Sequence, residues 1–200
     1  MITDPNTMIE IFGDFIQNPP LGTEYLILGF SPSSASIKQR WRTNGLSADF
    51  VANYLSTFFG DNGNPQNPCH KKAESAHSVN YIANELLENA MKFSDSTLPH
   101  PTTLQIHLYE DSIILMTKNG INGGQVADLR AFIERLSVGD PEELYLEQLE
   151  KNAEADDQKN SRVGYLTILN DYQGKIGWQF ESFPEASQGI SLTTMVKLFL

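Results

Sequence analysis

Between Ala76 and Phe93 the apolar residues Val79, Ile82, Ala83, Leu86, Leu87, Ala90 and Met91 fall at i, i+3, i+4, i+7, i+8, i+11 and i+12. That is the period of one helix face without an exception. So wide an apolar stripe needs a second layer to cover it, and the chain must therefore fold around this helix. The polar positions beside the stripe are ordered as well. Glu85, Asn89 and Lys92 are separated by four and three residues, which sets them on one line along the helix surface.

The material for a second layer follows at once. Leu104, Ile106 and Leu108 alternate as a half-buried strand, and 112–117 gives an antiparallel partner across Glu110-Asp111. Asn119-Gly120 and Gly123-Gly124 are expected to break that pattern. Residues 25–30, 175–182 and 190–200 read as further strands. Helices are expected over 6–17, 34–42, 47–59, 125–137, 141–151 and from Leu166, with turns at 171–174 and 185–189 and a loop at 60–68. The 47–59 pattern puts Phe50, Val51, Tyr54, Leu55, Phe58 and Phe59 on one side. Strand pairs mixed with helices predict an α/β sandwich: one mixed, mostly antiparallel sheet with helices on one face.

Charge narrows the function classes. The 200 residues hold 25 acids against 14 Lys and Arg, a formal charge of −11. A chain so acidic lacks the basic face that displaces counterions from nucleic acid, or that docks on an anionic membrane. The single cysteine, Cys69, excludes an intrachain disulfide and a Cys-rich metal site, and its place after Pro68 suggests an inert loop thiol. His70, His100 and His107 show no metal-ligand spacing. Without a basic, apolar leader or a long apolar run, the expected setting is the cytoplasm.

A Glu and an Asn one helical turn apart suit nucleotide chemistry. A carboxylate can orient a nucleophile toward a phosphoryl group, and an amide oxygen can ligate Mg²⁺ without adding charge. By spacing alone such a line is most often a solvated face. The residues themselves say more: ELLENAMKFS, from Glu85 to Ser94, resembles the N-box of the histidine-kinase-like ATPase superfamily. The resemblance implies a Bergerat-type sandwich in which this helix lines an adenine-nucleotide pocket for ADP or ATP. It places Asn89 at the position of the Mg²⁺-ligating Asn, Glu85 at that of the general base, and Lys92 near the phosphates.

In that superfamily a strand pair follows the N-box and ends in a D-x-G-x-G box that recognises adenine. Here the strand pair is followed by TKNGINGG, which keeps Gly120 and Gly124 but replaces the Asp, leaving Asn119 as the nearest polar group. An Asn could accept the adenine amino group only through its amide oxygen. The second glycine box would fall at NSRVGYLTIL, where Gly164 and the following Tyr165-Leu166 fit and Arg162 could contact a phosphate. Where the superfamily keeps its ATP lid, residues 140–157 hold eight acids and one base, Lys151, a composition that repels triphosphate. His77 lies outside any phospho-accepting histidine context. SIKQRWRTNGLSADFVANYLSTFF, NDYQGKIGWQFE and ISLTTMVKL are similar to a cyanobacterial family of stand-alone histidine-kinase-like proteins, in which Trp41, Arg42 and Phe50 read as packing residues.

The resemblance implies one domain over 1–200, with an amino-terminal extension over 1–60 and an acidic lid-like segment over 140–160. It implies a regulatory signalling protein that binds an adenine nucleotide and acts through protein contacts, in the manner of anti-sigma or partner-switching proteins. A response regulator, a phosphatase or an anti-sigma antagonist is the expected partner, and a homodimer is a further candidate. A second expectation keeps the pocket and changes the ligand to FAD, with Tyr165, Tyr172 and Trp178 stacking on the isoalloxazine of a redox or light sensor. A third is an active ATPase or Ser/Thr kinase using Glu85.

Overall fold

The computed structural model describes residues 8–20, 22, 24–31, 37–58, 68–95, 97, 98, 100–154, 162–182 and 189–200, without the side chains of 37–42, 68–73 and 152–154. Six strands form one sheet: β1 (Met8–Gly13), β2 (Glu24–Phe30), β3 (Thr102–Leu108), β4 (Ser112–Ile121), β5 (Lys175–Ser182) and β6 (Ile190–Phe199). Their order is β1-β5-β6-β4-β3-β2, and every pairing among them is antiparallel. Among the described residues five helices accompany the sheet: α1 (Ile37–Ser56), α2 (Pro68–Lys92), α3 (Gly123–Val138), α4 (Pro141–Glu154) and α5 (Val163–Asn170). The α/β sandwich expected from the sequence is the observed architecture, with an antiparallel sheet.

Helix α2 is its spine. Val79, Ile82, Ala83, Leu86, Leu87 and Ala90 are buried as the periodicity predicts, with Met91 half-buried. They meet the inward face of the sheet, where Leu104, Ile106, Ile113, Leu115, Val196 and Phe180 belong to the same core. Helix starts are set by local chemistry. Pro68 opens α2, where its missing N–H costs nothing. Asn122 caps α3 by accepting from the Gln125 N–H at 3.1 Å. Asp140 accepts from the Glu142 N–H at 2.8 Å, just ahead of Pro141 and the two glutamates of α4's first turn.

Four expectations are corrected. Residues 8–13 are strand β1, not part of a 6–17 helix; the apolar residues fit both periods, and pairing with β5 from Met8↔Ser182 to Gly13↔Gly177 decides. The helices expected at 34–42 and 47–59 are one helix, α1, which runs through Gly45 because packing along α2 outweighs a glycine cost of about 1 kcal/mol. Its inward face is Ala48, Val51, Ala52 and Leu55, while Phe50 and Phe58 are exposed and flank Tyr54, Phe50 stacked on it and Phe58 edge-on. Asn119-Gly120 does not end β4; the ladder to β6 continues to Ile121↔Ile190. Cys69 falls in the first turn of α2 rather than in a loop. The 60–67 part of the expected loop and the 185–188 part of the expected turn lie outside the described residues.

The two edge strands are joined across the outer face of the sheet. Leaving β1, the Asp14 N–H donates to the Ile176 carbonyl at 2.9 Å, and the Phe15 backbone lies against Gly177. The Ile16 N–H then points at Met195 Sδ, 3.4 Å away. Phe15 and Ile16 cover a small outer cluster of Ile114, Met116 and Met195, and the Tyr109 hydroxyl donates to the Pro20 carbonyl at 2.6 Å. The strap thus shields the small apolar cluster in the middle of the outer face.

Candidate functional site

Glu85, the first of the line of polar residues on α2, faces the amino end of α5. Glu85, half-buried, sets its carboxylate directly against Gly164, the second residue of α5; a Cβ built there would lie 2.7 Å from Glu85 Cδ. The first N–H groups of a helix lack intrahelical partners and carry partial positive charge, so this is a favourable seat for an anion. Burial nevertheless dominates and pushes the Glu85 carboxyl above its ordinary 4.5; Glu88 pushes the same way and Lys92 opposes.

Three tyrosines surround this carboxyl. Tyr81, one turn back on α2, hydrogen-bonds Thr167 of α5; burial, with Glu85 adding, raises its hydroxyl to about 12. Tyr165 is buried against Phe132 and, edge-on at 5.8 Å, against Trp178. Its hydroxyl hydrogen-bonds Thr194, and burial lifts it to about 12. Tyr172 stacks on Tyr81 at 4.9 Å and on His77 at 6.4 Å; burial, then Asp171 and Glu85, raise its pKa.

Of the residues singled out by sequence, Glu85 and Gly164 are thus brought together although 79 positions apart. Asn89 follows one turn along α2, half-buried, and exposed Lys92 lies 5.4 Å from the Phe93 ring. The Asp95 N–H donates to the Gly120 carbonyl at 2.9 Å, which ties the exit of α2 to the end of β4. Asn119 is buried on β4, and Gly124 lies in the first turn of α3. Arg162 is committed elsewhere: its guanidinium donates to the Asp128 carbonyl at 2.6 Å and covers the Phe132 ring at 4.9 Å. Tyr165 and Trp178, 2% and 3% exposed, fill the core against each other, and of the three rings assigned to a flavin Tyr172 alone is less than buried.

The acidic segment is in part an ordered helix. Glu147 of α4 binds both Arg135 of α3 and Lys151, each at 2.5 Å, and Asn170 of α5 donates to the Pro141 carbonyl at 3.2 Å. Asp156 and Asp157 lie outside the described residues.

Sequence reasoning missed Tyr81 and Thr167. The spacing of His77, Tyr81 and Glu85 by four along one helix was a usable signal for the first; nothing local marks Thr167.

A carboxyl whose pKa is raised by folding stabilises the fold only while protonated. The Glu85 contribution is complete below 4.5 and is lost as pH rises through its raised native value. Thermal melts of wild type and Glu85→Gln should therefore coincide near pH 4, with the variant the more stable at pH 7. A gap independent of pH would contradict the burial of this group.

No protein-family model matches the chain, and no curated protein matches it. Among solved structures, it is similar to a chain of the crystal structure of the SiaB-SiaC complex from Pseudomonas aeruginosa, at 14% identity and a TM-score of 0.53, over 88% of this chain and 89% of that one. At this identity the likeness is one of fold. Among the described residues no helix is long and apolar enough to cross a membrane.

Proposed function

We propose that the chain is a regulatory signalling protein that binds an adenine nucleotide with Mg²⁺ in a histidine-kinase-like pocket between α2, the β4–α3 turn and the amino end of α5. Its output is contact with another protein. The observation that carries this reading is the seating of Glu85 against Gly164. The two segments that sequence singles out for nucleotide chemistry meet there, and a residue without Cβ lets an acidic group, here the Glu85 carboxylate, come close to the helix end. Glu85 and Asn89 supply oxygen donors one turn apart, the donor type that Mg²⁺ prefers. A protein partner is consistent with the fold neighbour, which is described as one member of a two-protein complex. The altered adenine box and the Arg162 side chain held by α3 favour binding over turnover.

The test is calorimetric titration with ADP. Asn89→Ala should weaken binding about tenfold in Mg²⁺, near 1.4 kcal/mol, and leave it unchanged in EDTA. Equal affinities in Mg²⁺ would remove Asn89 from the site.

One observation favours a second reading, phosphoryl transfer with Glu85 as general base. A half-buried carboxyl raised toward neutrality is a better base at the working pH than an ordinary surface glutamate. In this reading wild type turns over ATP and Glu85→Gln does not; a wild type without turnover removes it.

A further inference from the structure

The sheet ends at β2, a strand with no bulge or proline and, among the described residues, no element paired along its outer edge. Natural sheets protect edges with charges, prolines, bulges or short length, because an open row of N–H and C=O groups pairs readily with another strand. β2 reads EYLILGF and pairs with β3 at every residue from Glu24↔Leu108 to Phe30↔Thr102. Nothing among the described residues pairs with its other side. Tyr25 and Ile27 on the outer face are 54% and 52% exposed. Leu26, Leu28 and Phe30, which lean on the core, are only half-buried. The six residues Tyr25 to Phe30 carry no charge in a chain of net charge −11.

We infer that β2 is a self-association edge, whose occupant is the β2 strand of a second copy of this chain. Antiparallel partners must share a face, so the register of a two-fold pair centres on a residue. Centred on Ile27, it sets Ile27 against Ile27, Leu26 against Leu28, and Tyr25 against Gly29 of the other copy. Each pair is apolar and shares a face. Gly29 has open space where a Cβ would stand, with nothing within 4 Å, and an aromatic ring opposite an edge glycine covers its bare backbone. The two Glu24 side chains fall at opposite ends of the ladder. A two-fold axis brings like to like, so an acidic chain can meet itself only where it is uncharged. The other edge, β1, carries Glu10 at its middle, held in an ion pair with Arg130 at 2.7 Å. The result is a continuous twelve-stranded sheet across the dimer. This inference does not depend on the nucleotide reading.

Light scattering on the full chain should give a dimer, and Ile27→Lys should shift dissociation at least 100-fold to a monomer, while Ile11→Lys on β1 leaves the dimer. A monomeric wild type at 100 µM, or a dimer broken by Ile11→Lys and not by Ile27→Lys, overturns the inference. If Ile27→Lys fails to fold, crosslinking decides. In a Cys69→Ser background, Ile27→Cys should oxidise to a disulfide-linked dimer, since opposed Cα atoms about 4.5–5.5 Å apart fit a disulfide. Ile11→Cys in that background should not; the reverse pattern, or no crosslink from Ile27→Cys, overturns it.

Discussion

Gly177→Val is expected to lower the unfolding free energy by about 1.5–3 kcal/mol, the burial free energy of two half-buried large apolar side chains. A Cβ at 177 would fall on the backbone of Phe15 and lie 2.7 Å from its Cβ. The obstruction is main chain, so no rotamer change relieves it. The strap must lift, which exposes Phe15 and Ile16 and uncovers Ile114, Met116 and Met195. The hydrogen bond from the Asp14 N–H to the Ile176 carbonyl is lost with it. In a domain of ordinary stability, about 5–15 kcal/mol, this is a large fraction, and urea unfolding at 25 °C reads it directly. A cost below about 1 kcal/mol would mean that the strap does not rest on the sheet, since a loss that small matches a typical single mutation.

Gly164→Ala should separate binding from stability. The methyl takes the place now held by the Glu85 carboxylate, whose Cδ lies 2.7 Å from it. Here the obstruction is the end of a flexible side chain, which can rotate away. The better helix propensity of alanine offsets part of the strain, by up to about 1 kcal/mol. The fold should survive with its melting temperature changed by a few degrees. The amino end of α5, however, then carries a methyl where an anion would approach, and Glu85 is displaced. ADP affinity is therefore expected to fall about 100-fold, near 2.7 kcal/mol. Unchanged affinity in the folded variant would place the phosphates away from α5.

What could be read from the sequence divides by distance along the chain. The buried stripe of α2 was legible to the residue because it is set by burial alone, though the start of the helix at Pro68 was not, and β3, β5, β6 and the first part of β4 were legible from alternation and turns. β1 was not: Ile9, Ile11 and Phe12 satisfy helix and strand periods alike, and the deciding partner, β5, lies more than 160 residues on. For the same reason no local pattern announced that Phe15 and Ile16 would cross the sheet. In α1 the pattern fixed the helix but not its face. Both Val51–Leu55 and Phe50–Tyr54 are apolar, and contact with α2 chose the first. At the candidate site, Glu85 and Asn89 were visible as a line on a helix. Their meeting with Gly164 was expected through the resemblance to the ATPase superfamily, since spacing carries nothing across 79 positions. The commitment of Arg162 to Asp128 and Phe132, and the burial of Tyr165 and Trp178, are tertiary facts that composition does not carry.

The central claim is that the meeting of α2 and α5 holds an adenine nucleotide. The most direct measurement is titration of ADP with Mg²⁺ into purified wild-type protein, with mass spectrometry of whatever heat releases from the same preparation. The account predicts saturable one-to-one binding with a Kd on the order of micromolar, about −8 kcal/mol, and weaker when Mg²⁺ is removed. A yellow protein that releases FAD, or one that takes up no ADP at millimolar concentration, would contradict it.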